Sequence, residues 1–118
     1  MKALSVLATL LIFVAGTAIG AESTCTLPGK SIRVFGPRLT ILQLERMGVA
    51  FAAENPAQPQ VPFSTANKAW LALKRAARPG DFVQSYDGPR LGGGRPLAGG
   101  YVLMRGPCAV ARLTLWVS

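Results

Sequence analysis

Residues 64–86 constrain the fold most. Ala66, Ala69, Trp70, Leu73 and Ala77 recur there at helical spacing, which gives a helix one apolar stripe. Lys68, Lys74, Arg75 and Arg78 lie largely off that stripe. The last three fall near the C-terminal end, where cations complement the helix dipole. The Arg-Pro-Gly-Asp run at 78–81 then ends the helix, because proline pushes the residue before it out of the α region. Residues 82–86, Phe-Val-Gln-Ser-Tyr, follow as a strand.

The rest of the chain reads around this unit. Residues 31–35 form a short strand. Gly36-Pro37 punctuates it, and proline suits the first turn of a helix. Residues 39–53 are assigned to that helix: Leu39, Leu42, Arg46, Val49 and Ala53 keep helical spacing, and Leu, Gln, Glu, Arg, Met and Ala are good helix formers. Against this, 39–44 also fits a strand, and Gly48 costs a helix about 1 kcal/mol. The three prolines of 54–62 make a loop. Ser64 or Thr65 supplies an N-cap for the second helix. Glycine and proline are too dense in 87–100 for a regular element. Strands follow at 101–105 and 108–118, joined by a turn at Gly106-Pro107. Strict alternation in the last strand sends Ala111, Leu113, Leu115 and Val117 to the core. Arg112, Thr114 and Trp116 then lie on the other face, with Trp116 a candidate exposed aromatic. The expected fold is α+β: one small domain, two helices packed on a three- to four-stranded antiparallel sheet, with one disulfide.

The compartment is read from residues 1–21. Met1-Lys2, a short apolar run and the small residues around Ala18, Gly20 and Ala21 make a cleavable secretory signal peptide. The apolar run is short for a span of about 20 residues, and no basic stop-transfer cluster follows. A lipid-attachment signal does not fit, because Glu22-Ser23-Thr24 precedes Cys25. The mature chain is then a single domain over residues 22–118, periplasmic or secreted, with no transmembrane segment. In that setting Cys25 and Cys108 are expected to pair. Closing so long a loop is worth roughly 4–5 kcal/mol at most in the chain-entropy account. A free thiol, an intermolecular bridge and a metal site are the alternatives, and the absence of histidine disfavours zinc.

Charge points to the partner. Removing residues 1–21 takes away Lys2 alone and leaves twelve basic and five acidic residues, a net charge of +7. An anionic glycan, a lipid head group or an acidic protein would be attracted; a merely solubilising surface is the competing explanation. The arginines form no dense run, and no specific nucleic-acid site is expected. Lys74, Arg75 and Arg78 share one end of a helix and form the first anion-binding candidate. Arg90 and Arg95 flank Gly92-Gly93-Gly94, whose amides can nest an anion, and they join the patch only if that loop folds back.

Catalytic constellations are scarce. Without histidine no Ser-His or Cys-His pair exists, and there is no Gly-x-Ser-x-Gly elbow and no P-loop. Asp81 and Asp87 bracket one extended segment and stand roughly 20 Å apart. Glu45 and Glu54 on one helix are separated by roughly 13 Å, too far for an acid–base pair at about 5–9.5 Å. A pair between distant segments, such as Glu45 with Asp81, stays open. The expectation is a small exported, non-enzymatic, basic module that binds an anionic surface or ligand, with no cofactor and no metal. A protein-interaction module docking an acidic partner through residues 87–100, as an inhibitor or accessory subunit, is the alternative. An enzyme without histidine ranks third.

Overall fold

A computed structural model describes residues 32–90, 92 and 94–118. The expected signal peptide and Cys25 lie outside the described residues. The order of elements is β1 (Arg33–Leu39), α1 (Ile41–Ala53), a 3-10 turn (Ser64–Ala66), α2 (Asn67–Ala76), β2 (Phe82–Asp87), β3 (Ala98–Arg105) and β4 (Cys108–Val117). The four strands form one antiparallel sheet in chain order, β1-β2-β3-β4. Among the described residues the α+β expectation therefore holds, with two helices and four strands. Among the described residues no helix is long and apolar enough to cross a membrane.

Residues 41–53 are helical because Thr40 starts them with a reciprocal cap. Gln43 N donates to Thr40 Oγ1 at 3.0 Å, and Thr40 N donates to Gln43 Oε1 at 2.8 Å. Pro37 does not open this helix; it lies inside β1, in an irregular stretch between Phe35 and Leu39. An edge strand tolerates that proline because no ladder bond is needed on its open side. At the other end of α1, the Gln60 amide donates to the carbonyls of Ala52, Asn55 and Gln58 at 2.9, 3.2 and 2.9 Å. It thereby ties the proline loop to the end of the helix.

The expected cap of α2 at Ser64 or Thr65 is not made. Ser64 belongs to the 3-10 turn, and Ala66 occupies the cap position without a side-chain bond. Phe63 and Ser64 instead take positive φ angles of 64° and 50°, which non-glycine residues adopt at a cost. That backbone turns the Phe63 ring inward, where it meets Phe51, Trp70 and Tyr101 at centroid distances of 5.7, 5.6 and 6.3 Å. The core joins Leu44, Phe63, Trp70 and Leu73 to the sheet residues Val83, Leu103 and Leu113. After α2, Asp81 closes the turn: its carboxylate accepts from Arg78 N at 2.8 Å, and its own N–H donates to Arg78 O.

The sheet is apolar on both faces. Opposite the helices, Tyr86, Val102, Met104 and Ala109 form a second buried cluster with Ile32, Val34 and Phe82. Two guanidiniums lie over rings here, Arg38 on Phe82 at 4.3 Å and Arg112 on Tyr86 at 5.3 Å. The Tyr86 hydroxyl is hydrogen-bonded to Thr114 Oγ1.

Candidate functional site

Register decides what the helix side of the sheet presents. Arg33 pairs with Asp87, Asp87 with Gly99 and Gly99 with Trp116; in the next row Phe35 pairs with Ser85 and Ser85 with Tyr101. Alternation places both rows on the face that carries Leu103. The expected orientation of Trp116 is thus corrected. A register shift between Gly99 and Gly100 lets β4 gain a residue, so Thr114 faces away while Trp116 returns to the helix side. Ala111, Leu113 and Leu115 keep their core contacts, but Val117, expected in the core, is 76% exposed. Two glycines make room for this arrangement. A Cβ on Gly99 would run into the Trp116 ring, and one on Gly100 would meet the Leu113 carbonyl.

The helices cover the Val83–Leu103–Leu113 part of this face and leave its other end open. There Phe35, Phe51, Ser85, Asp87, Gly100, Tyr101, Leu115 and Trp116 line a cleft of about 430 Å³. A second hollow of about 290 Å³ shares Phe51, Tyr101 and Leu115 with it and continues beneath α1 past Met47, Ala50 and Phe63 to Glu54. Both are lined mainly by apolar and aromatic groups, as small-ligand sites are. Trp116 remains 45% exposed, and Phe35, Phe51 and Met47 also keep much of their surface in water. Burial within the cleft pushes the Tyr101 phenol up from its ordinary range.

One end of the cleft is ionic. The Asp87 side chain is only 8% exposed and takes Arg33 Nη2 at 2.7 Å, Arg33 Nε at 3.3 Å and Arg90 Nη2 at 3.1 Å. The Arg33 pair, mostly through its hydrogen bonds, holds this carboxyl below the usual carboxylate range. The same bonds raise the Arg33 guanidinium. One carboxylate between two guanidiniums leaves an excess positive charge at this end.

The expected basic residues do not form one site. Lys74, Arg75 and Arg78 lie by the α2 end that feeds into β2, whereas Arg90 and Arg95 follow the other end of β2. A strand of six residues separates them, roughly 20 Å. The 87–100 segment does not fold back; its Arg90 is turned onto Asp87 and onto the carbonyl of Gly94 at 3.1 Å. It is also more regular than expected, with an Arg90–Pro96 bridge and β3 beginning at Ala98. Lys74 is not a free cation, since its Nζ is 2.8 Å from Glu45 and 5.9 Å from the Trp70 ring. Arg75 and Arg78 are exposed. Next to them Arg105 closes on Asp81 through two bonds of 3.0 and 2.8 Å and donates to Ala76 O at 3.0 Å.

The carboxylate pair left open by the sequence is not assembled. Glu45 is engaged by Lys74 and Asp81 by Arg105. The Arg105 hydrogen bonds hold the Asp81 carboxyl below its ordinary value. Of the cleft residues the sequence points to Trp116 alone, as an exposed aromatic; Arg33, Phe35, Phe51 and Tyr101 carry no signal until the register is known. The chain matches no known protein family, no curated protein and no solved structure.

Proposed function

We propose that the protein is a small exported, non-enzymatic, basic module that binds an anionic surface or ligand. The observation that carries this reading is the balance of paired and unpaired charge. Glu45, Asp81 and Asp87 are each taken up by Lys or Arg. Arg46, Lys68, Arg75, Arg78 and Arg95 are exposed, and none makes a side-chain ion pair among the described residues. Unneutralised guanidiniums at a helix end attract polyanions and release counterions on binding. The same pairing supports a non-enzymatic role, because Asp81 and Asp87 are held ionised by their arginines and are poor proton donors near neutral pH.

Binding to a sulfated glycan and to anionic vesicles, measured across a salt series, tests the reading. Affinity should fall steeply with salt and depend on Arg75 and Arg78. Salt-insensitive binding, or none, would reject it. A protein-interaction module, as an inhibitor or accessory subunit for an acidic partner, is the second reading. It is favoured by Leu42 and Val49, each 55% exposed, which flank Arg46 along one side of α1.

Export through residues 1–21 to the periplasm or the exterior, and a Cys25–Cys108 bond, belong to the same proposal. Cys108 opens β4, and among the described residues there is no free cysteine. Intact mass of the native protein and alkylation without reductant test the two points. Retention of Met1, or labelling of both thiols, would reject them.

A further inference from the structure

We infer that the aromatic cleft holds the hydrocarbon chain of a single-chain anionic amphiphile, with its acidic head at Arg33 and Arg90. The inference stands apart from the polyanion reading, because this cleft opens at the other end of β2 from Arg75 and Arg78.

Three observations define the occupant. First, the two hollows adjoin through Phe51, Tyr101 and Leu115, one running from Asp87 and Trp116 and the other on to Met47 and Glu54. Two hollows in series suit a chain. Second, the floor is the face of a sheet. Ser85 is paired on both sides, with β1 and β3, and Gly100 and Tyr101 with β2 and β4, which leaves few bonding partners for a guest. A peptide laid there would bury unpaired amides, at a cost of roughly 1–3 kcal/mol each. A hydrocarbon chain has no such requirement, and covering Phe35, Phe51, Met47 and Trp116 would drive its entry. Third, among the described lining residues the charged groups divide: Asp87 with its two arginines stands in one hollow and Glu54 in the other. Asp87 is already shared by two guanidiniums, and Arg33 keeps 57% of its side chain exposed. An anionic head is matched at that position and a cationic one is repelled.

The probe is laurate carrying a bromine in mid-chain, which quenches tryptophan on contact, used below its own aggregation concentration. Trp116 lines the cleft and Trp70 is fully buried, so the two report separately. Saturable quenching is expected in the parent and should be largely lost in Trp116→Phe. Ser85→Phe fills the floor and should weaken binding at least tenfold. Phe51→Ser, at an exposed position of α1, should weaken it severalfold and serves if Ser85→Phe does not fold. The matching brominated alcohol should bind roughly fivefold more weakly than laurate at low salt, about the value of one exposed ion pair. Quenching that does not saturate, that survives unchanged in the folded variants, or that is as strong in Trp116→Phe would overturn the proposal. So would shielding of Trp116 from iodide in ligand-free protein. In a dimer it would mean that a second copy covers the cleft, and in a monomer that the chain's own residues fill it.

Discussion

The ring of Phe63 lies where a side chain on Gly48 would stand. A Cβ on Gly48 would be 2.6 Å from two ring carbons, and Phe63 N donates to the Gly48 carbonyl at 3.0 Å. A glycine that looks like a flaw in α1 is thus a packing requirement. It lets the strained Phe63 backbone deliver its ring between the helix and the sheet, where Phe63 is 1% exposed.

Gly48→Ala should therefore destabilise the protein despite alanine's better helix propensity. Overpacking costs about 1–3 kcal/mol and the propensity gain returns about 1 kcal/mol, so urea unfolding should show a net loss. Shrinking the partner with Phe63→Leu should make the double mutant less unstable than the two single losses added together. Strict additivity would show that the contact does not matter.

The two arginine-bound aspartates, Asp81 and Asp87, should make the fold acid-sensitive. Asp81 and Asp87 both have folded values depressed by their guanidinium hydrogen bonds. A depressed carboxylate contributes stability that is present above its unfolded value, near 4, and is lost as pH falls through the folded value. Melting temperature should hold down to about pH 4 and then drop. Asp81→Asn should lie below the parent at neutral pH and converge toward it in acid. A gap that persists unchanged below pH 3 would assign the loss to packing instead.

How much was legible in the sequence depended on whether the signal was local. The stripe of α2 and its Pro79 stop were readable because the helical repeat and proline sterics act within a few residues. The start of α1 is also written locally, in the reciprocal cap of Thr40 and Gln43, but Pro37 gives a competing helix-start signal three residues earlier. The position of Trp116 was not local. It depends on β4 gaining a residue against β3, which Gly99 and Gly100 permit only once that strand is their neighbour. The cleft was hidden for the same reason: Arg33, Phe35, Ser85, Asp87, Tyr101 and Trp116 come from four strands, and only the register makes them adjacent.

Gly99→Ala tests that register directly. The added methyl group must displace the Trp116 ring, which now lies over the glycine. Emission from Trp116 should shift to the red and become more accessible to iodide, while the contribution of buried Trp70 stays constant. Trp116→Phe should retain only the blue, iodide-protected component. If Gly99→Ala leaves the spectrum unchanged, Trp116 does not rest on β3.

The basic end of α2 makes a sharper prediction once Lys74 is known to be paired. Arg75 lies in the last turn of α2 and Arg78 two residues beyond its end, past the extended Ala77, and neither makes a side-chain ion pair among the described residues. Lys74 must first give up Glu45 at 2.8 Å to join them. Replacing Arg75 and Arg78 with alanine should therefore reduce the salt slope of glycan or vesicle binding by about two counterions. Adding Lys74→Ala should change binding little further. Stability separates the same residues the other way. The arginine changes should stay within about 0.5 kcal/mol each, as exposed substitutions do. Lys74→Ala removes an exposed ion pair and its place over Trp70, and should cost up to about 1 kcal/mol. Equal contributions from all three side chains to the slope would mean that the Glu45 pair opens freely and that the patch is wider than the two arginines.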